Sequence, residues 1–294
     1  MADHHSTDRG ELPRETLDWS IMKHFLIYTN RHKDKNLAVT ERIRSYLETK
    51  GRRVSLKTEG VDWKEAADCI IVLGGDGTVL RAARETRELN IPIIGVNLGT
   101  LGYMTEIEPD NLEEALDRLI QGDFERESRM MLYGRAYLDE DRTEEGWALN
   151  DIVISRKGPL QIIRFNIYVN GQFLNAYCAD GMIVTTPTGS TGYNLSAGGP
   201  LVEPGAKLIM LTPICPHTLN QRSIILSAED VIEIEIPQNS DGSMQTVEAS
   251  FDGGHGIPLR TGERIRITQS EKITEFLRLN RVSFLEVLHG KMAE

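Results

Sequence analysis

The stretch that most constrains this chain is Asp68-Cys69-Ile70-Ile71-Val72-Leu73, which runs directly into Gly74-Gly75-Asp76-Gly77-Thr78. A continuously apolar run rich in β-branched side chains predicts a strand covered on both faces, as in a parallel sheet. Glycines at its carboxyl end let the backbone turn sharply and approach a ligand closely. A helix predicted over residues 79–89 follows, and its first N–H groups are free to meet an anion. Open α/β sheets bind ligands at this edge, so Asp76 is expected at a site. Read without a ligand, the run is a glycine turn whose Asp76 caps the helix. It is neither a G-x-x-x-x-G-K-[ST] phosphate loop nor a G-x-G-x-x-G dinucleotide fingerprint.

The flanking segments share this grammar. Short apolar strands are predicted at 24–29, 53–57 and 91–97, alternating with helices at 36–50 and 110–121. That alternation implies a parallel sheet with right-handed crossovers. A second glycine-rich loop, NLGTLGY at 97–103, follows the next strand. After about Arg126 the period becomes two. Ile163, Phe165, Ile167 and Val169 alternate, Asn170-Gly171 supplies a hairpin turn, and VIEIEI (231–236) and ERIRIT (263–268) each predict one buried and one wet face. An α/β domain followed by a mostly antiparallel β-rich one is expected, with the boundary near 126–130.

Composition narrows the function. Lys plus Arg number 33 against 44 Asp plus Glu, a net charge of -11, which argues against a nucleic-acid partner. It does not exclude small phosphate ligands, which need only local donors. No apolar run reaches membrane-spanning length, and MADHHSTDRGELPRETLDWS lacks the apolar core of a signal peptide. No membrane association and a cytoplasmic location are therefore expected. Residues 1–20, with five acids and two bases, read as a flexible leader. Cys69, Cys178 and Cys215 are far apart, without a CxxC pair, and are expected as buried or half-buried thiols.

The most unusual segment is Thr185-Thr186-Pro187-Thr188-Gly189-Ser190-Thr191-Gly192-Tyr193-Asn194-Leu195-Ser196-Ala197-Gly198-Gly199. It follows a turn and short strand at Asp180 to Val184. Dense in hydroxyls and nearly free of large aliphatic side chains, it is not expected in the core. It suits a polar ligand with ribose hydroxyls, amides and a flat base. Asn150-Asp151 stands at a predicted strand start, where alone it would signal a turn.

GGDGT at 74–78, NLGTLGY at 97–103, Asn150-Asp151, DGMIVTTPTGSTGYNLSAGGP at 180–200 and PHTLNQR at 216–222 together resemble the NAD kinase family. GGDG alone is shared with lipid kinases and, loosely, phosphofructokinases; the TPTGSTGY segment makes the resemblance specific. It implies transfer of the γ-phosphoryl of ATP to the 2′-hydroxyl of the adenosine ribose of NAD. The fold implied is a Rossmann-like α/β N-terminal domain over 21–127 and a β-sandwich C-terminal domain over 128–272, with 273–294 returning to the first. Asp76 would be general base and ribose contact, beside Gly77. Gly74, Gly75 and Thr78 would line the phosphate path, and Arg81, on the first turn of the helix, would reach a phosphate. Asn150 and Asp151 would hold adenine and ribose. Asp180 with Thr191, Gly192, Tyr193, Asn194, Leu195 and Ser196 would bind the dinucleotide, partly from a neighbouring subunit of a homodimer or homotetramer. Magnesium or another divalent cation would accompany ATP.

Three positions depart from the family pattern. Gly192 stands where alanine is common, Cys178 where a basic residue or histidine is frequent, and Asp252-Gly253-Gly254 where some members carry Asp-x-Gln. None touches Asp76. A lipid kinase would need a greasy acceptor groove, against the polar loop at 185–199. A non-catalytic dinucleotide-binding regulator could dispense with Asp76, which is present.

Overall fold

The computed structural model describes residues 22–57, 65–99, 102–157, 162–217, 222–280 and 283–292. The leader at 1–20 and parts of NLGTLGY and PHTLNQR therefore lie outside the described residues. The first half is built from β1 (His24–Thr29), α1 (Ala38–Thr49), β2 (Arg53–Lys57), β3 (Cys69–Gly74), α2 (Asp76–Thr86), β4 (Ile93–Asn97) and α3 (Leu112–Gln121). Its strands pair in parallel in the order β2-β1-β3-β4. Every residue of β1, β3 and β4 is buried, as their apolar runs require.

Alternate side chains leave opposite faces of the sheet. Phe25, Ile27, Ile71 and Leu73 pack with Ile43 and Leu47 of α1 and Leu112, Leu116 and Leu119 of α3. Leu26, Tyr28, Ile70 and Val72 pack instead with Val79, Ala82 and Ala83 of α2. The helices thus cover both faces, which leaves the carboxyl-end edge of the sheet for loops.

The second half comprises β5 (Glu125–Tyr137), β6 (Thr143–Ala148), β7 (Asp151–Arg156), β8 (Ile163–Val169), β9 (Gln172–Ala179), β10 (Gly181–Thr185), α4 (Tyr193–Ser196), β11 (Leu208–Ile214), β12 (Ile224–Ser227), β13 (Ile232–Glu235), β14 (Thr246–Phe251), β15 (His255–Arg260), β16 (Arg264–Arg278) and α5 (Phe284–Met292). A six-stranded antiparallel sheet runs β12-β11-β10-β7-β14-β15. Its inner residues Ile152, Ile154, Met182, Val184, Val247 and Phe251 share a core with Leu132, Phe165, Ile167, Ile232, Ile234 and Ile265 of the other sheet. This is a β-sandwich.

The two halves share backbone. β16 pairs antiparallel with β13 and β5, while Phe276 near its end pairs in parallel with Ile93 of β4. A ten-stranded sheet therefore carries the parallel strands straight into the sandwich. The irregularity between Gln269 and Ile273 marks where β16 passes from one partner set to the other. The helix after the glycine turn begins at Asp76 rather than residue 79, which moves Arg81 to its second turn.

Candidate functional site

The site grows from the carboxyl ends of β3 and β4. Gly75, in an extended conformation, is the N-cap of α2, and Asp76 is the first helical residue. Asp76 does not cap its own helix. Its Oδ2 accepts the N–H of Tyr103 at 2.8 Å and its Oδ1 the N–H of Met104 at 3.0 Å. The carboxylate is thereby fixed to the second glycine-rich loop and retains lone pairs for a ligand.

The neighbouring glycines have separate reasons. A β-carbon on Gly74 would collide with the Thr78 side chain, so Gly74 makes room for a packed threonine. Thr78 is buried, and its hydroxyl accepts a bond from Asn30 Nδ2 at 3.2 Å. Nothing approaches the Cβ position of Gly77, which leaves open space above the helix start. Arg81 acts electrostatically on Tyr28, whose hydroxyl is pushed up chiefly by burial and then by the charge of Glu85.

A residue without any sequence signal sits over the turn. A β-carbon on Gly75 would lie 2.9 Å from Nζ of Lys33, and one on Gly99 would lie 3.5 Å from it. Lys33 belongs to the loop after β1. It is invisible to motif reading because its place depends on three strand ends meeting.

The hydroxyl-rich segment is largely buried, contrary to its expected exclusion from the core. Thr185, Thr186, Thr188, Ser190 and Asn194 are all buried. Thr186 Oγ1 donates to Leu149 O at 2.6 Å, Thr185 Oγ1 to Asn150 O at 3.0 Å, and Ser190 Oγ to Val202 O at 3.0 Å. Hydroxyls permit such burial because each satisfies a carbonyl. Asn194 is spent similarly: Nδ2 donates to Pro200 O at 3.0 Å, and Oδ1 accepts from Thr212 at 2.7 Å. Tyr193, Leu195 and Ser196 are exposed, with Thr191 and Gly192 half-exposed. Thr188 and Thr191 border a cavity of about 520 Å³ that Gly102, Tyr103 and Met104 also line, so the two loops face one cleft.

Asn150 and Asp151 meet the same loop at the start of β7. Asn150 Oδ1 is a buried acceptor without a hydrogen-bond partner among the described residues. Its Nδ2 lies 3.3 Å from where a β-carbon on Gly192 would stand. Asp252, in left-handed backbone at φ 49°, accepts the N–H groups of Leu149, Asn150 and Asp151 at 2.8, 2.8 and 3.1 Å. Burial and the nearby Asp252 charge push the Asp151 carboxyl up to about 7. Burial also raises Asp252, but those three N–H donors and Arg84 oppose it. Both carboxyls of the pair are therefore held above the ordinary carboxylate range. Arg84 of α2 donates to Phe251 O at 3.2 Å, and the absent β-carbon of Gly254 leaves room for its guanidinium. The Asp252-Gly253-Gly254 turn thus joins the helix of Asp76 to the Asn150-Asp151 start.

Asp180 is set apart from these residues. It precedes β10, whose far end, Thr185, is the residue that pairs with Asp151. Five residue steps of extended chain put Asp180 about 17 Å from Thr185, and Asp180 forms an ion pair with Arg156 at 3.1 Å. Cys69 is buried, Cys178 half-buried and Cys215 exposed, the last contrary to expectation.

Comparison with known proteins fits this arrangement. The ATP-NAD kinase N-terminal domain matches residues 32–124, and the ATP-NAD kinase C-terminal domain matches residues 149–279. The NAD kinase of Lachnospira eligens is 48% identical, with 92% of this chain and 100% of that protein covered. That of Agathobacter rectalis is 44% identical over 92% and 99%. An NAD kinase from Archaeoglobus fulgidus, solved with ATP, superposes with a TM-score of 0.75 at 29% identity, covering 92% of this chain and 99% of the other. Yeast NADH kinase, solved with NADH, shares the fold with a TM-score of 0.80 at 23% identity, over 93% and 88%.

Proposed function

The chain belongs to the ATP-NAD kinase family, and from that membership we propose that Asp76 orients the 2′-hydroxyl of the adenosine ribose of NAD for attack on ATP. As a member of that family, it is an enzyme that phosphorylates NAD to NADP. The observation that carries the assignment is the double N–H anchoring of Asp76 at the ends of two adjacent parallel strands.

Phosphoryl transfer runs through a loose transition state, so alignment and charge neutralisation dominate. The ribose O2′–Pγ bond forms as the bond from Pγ to the bridging oxygen breaks, and ADP leaves with that electron pair. The hydroxyl proton passes to a free lone pair of Asp76. A carboxylate is far too weak a base to ionise a sugar hydroxyl beforehand, so Asp76 accepts the proton late, a contribution on the order of 10²- to 10⁴-fold. Gly75 and the open face over Gly77 admit phosphate close to the backbone N–H groups opening α2.

Asn150 Oδ1, a buried acceptor, suits the amino group of adenine, and Asp151 beside it suits the ribose. Thr191, Gly192, Tyr193, Leu195 and Ser196 present the outer wall to the dinucleotide, while Asn194 acts from within by holding the loop. The Archaeoglobus fulgidus NAD kinase solved with ATP supports ATP as a ligand. Magnesium fits as part of the donor. No three His, Cys, Asp or Glu side chains gather to hold a metal among the described residues, and Mg²⁺ keeps water and phosphate oxygens as ligands. Brought in with the triphosphate, it would offset negative charge that the acidic site would otherwise repel.

Asp180 joins this scheme through a second copy, since its own chain keeps it about 17 Å from the strand end beside Asp151. A homodimer or homotetramer is the corresponding assembly. A cytoplasmic place of work agrees with free NAD and ATP as substrates. An assay of NADP formation from NAD, ATP and magnesium tests the reading. A folded preparation that binds NAD but makes no NADP would overturn it.

A further inference from the structure

Resting on that reading of the Asp76 site, we propose that Lys33 is a catalytic cation that grips the triphosphate of the donor during transfer. Its ammonium crosses two glycine turns at once. It stands 2.9 Å from the Cβ position of Gly75 and 3.5 Å from that of Gly99. These turns end β3 and β4, the strands whose following segments carry Asp76 and its two N–H anchors. The chain as a whole is acidic, at -11, so an anionic donor needs a cation placed locally.

The loop carrying Lys33 is held in advance. The N–H of Lys33 donates to Asn30 O at 3.0 Å, and the N–H of Asn30 donates to Leu73 O at 3.0 Å. Asn30 Nδ2 reaches Thr78 Oγ1 within the glycine turn itself. On the other side, buried Asp34 accepts the N–H groups of Val39 and Thr40 at 3.0 and 2.9 Å and the Thr40 hydroxyl at 2.6 Å. The backbone of residue 33 is thus stitched to the loop that bears Asp76, while Lys33 as a whole is exposed. A preorganised cation beside an open glycine turn stabilises the charge that gathers on the phosphoryl oxygens as ADP departs. Its place over Gly75 assigns it to the donor rather than to the adenine and ribose near Asn150.

The test compares Lys33→Met and Lys33→Arg in steady-state NADP formation, varying ATP and NAD separately, with inorganic tripolyphosphate as a competitive probe against ATP. For Lys33→Met, kcat/KM for ATP should fall on the order of 10²-fold. Its tripolyphosphate Ki should rise, KM for NAD should stay within about twofold, and Lys33→Arg should recover much of the loss. Unchanged kcat, KM for ATP and tripolyphosphate Ki in Lys33→Met would overturn the proposal. A rise confined to KM for NAD would overturn the donor assignment. Assaying Asp76→Asn in parallel separates the two readings: its inactivity alongside a normal Lys33→Met leaves the Asp76 role intact and removes that of Lys33.

Discussion

The carboxylate of Asp76 occupies the space that a side chain on Gly102 would need, so that a β-carbon at 102 would overlap both carboxylate oxygens. Glycine at 102 lets the second loop close over Asp76, and the N–H groups of Tyr103 and Met104 hold it there. Gly102→Ala should displace the carboxylate with little effect on the surrounding core. NADP formation should drop by about 10²-fold, the scale of an ångström's misplacement, while the melting temperature moves by only a few degrees.

Asn194 separates a brace from a ligand contact. Its amide is fully buried and bonded to Pro200 and Thr212. Truncation leaves buried polar groups unpaired, at about 1–3 kcal/mol each. Asn194→Ala should therefore lower the melting temperature in calorimetry by roughly 5–10 °C, with NAD affinity falling only as stability does. An unchanged melting temperature with lost NAD affinity would make Asn194 a direct contact.

Asp151 makes stability depend on pH. Its folded-state pKa, at about 7, lies above the ordinary value of 3.8, so the folded protein binds the proton more tightly than the unfolded chain does. Stability from this group is complete below about pH 4 and is lost as pH rises through about 7. Asp151→Asn removes that slope. Its melting temperature should gain on the wild type between pH 5 and pH 8, and parallel curves would contradict the burial of an uncompensated carboxyl.

Much of this is legible in the sequence, for local reasons. The run Ile70-Ile71-Val72-Leu73 specifies a doubly covered strand, and Asn170-Gly171 specifies the β8–β9 hairpin, because both signals lie within a few residues. The turn at 74–78 points to a candidate site by its position after such a strand. What escaped depends on distant partners. Nothing near Asp76 in sequence tells that its carboxylate will cap residues 103 and 104, nor does anything near Asp252 foretell the three N–H donors of 149–151. The hydroxyls of Thr186 and Ser190 resemble ligand groups by type alone. Their carbonyl partners, Leu149 and Val202, turn them inward.

Asp180 yields a test of shared sites. If it serves the cleft of a second copy, Asp76→Asn and Asp180→Asn proteins are each impaired, and a mixed dimer regains one intact site of two. Equal mixing after subunit exchange should restore about a quarter of the wild-type rate. No recovery in demonstrably mixed assemblies would place Asp180 outside the site.

The role of Asp76 is tested most directly by single-turnover formation of NADP in Asp76→Asn, with NAD affinity measured by calorimetry on the same sample. Asparagine keeps an oxygen for one anchoring N–H but cannot take the hydroxyl proton. The predicted result is NAD affinity within a few-fold of wild type and a transfer rate lower by about 10²- to 10⁴-fold. A near-normal rate with NAD bound would contradict Asp76 as the group that orients and deprotonates the ribose.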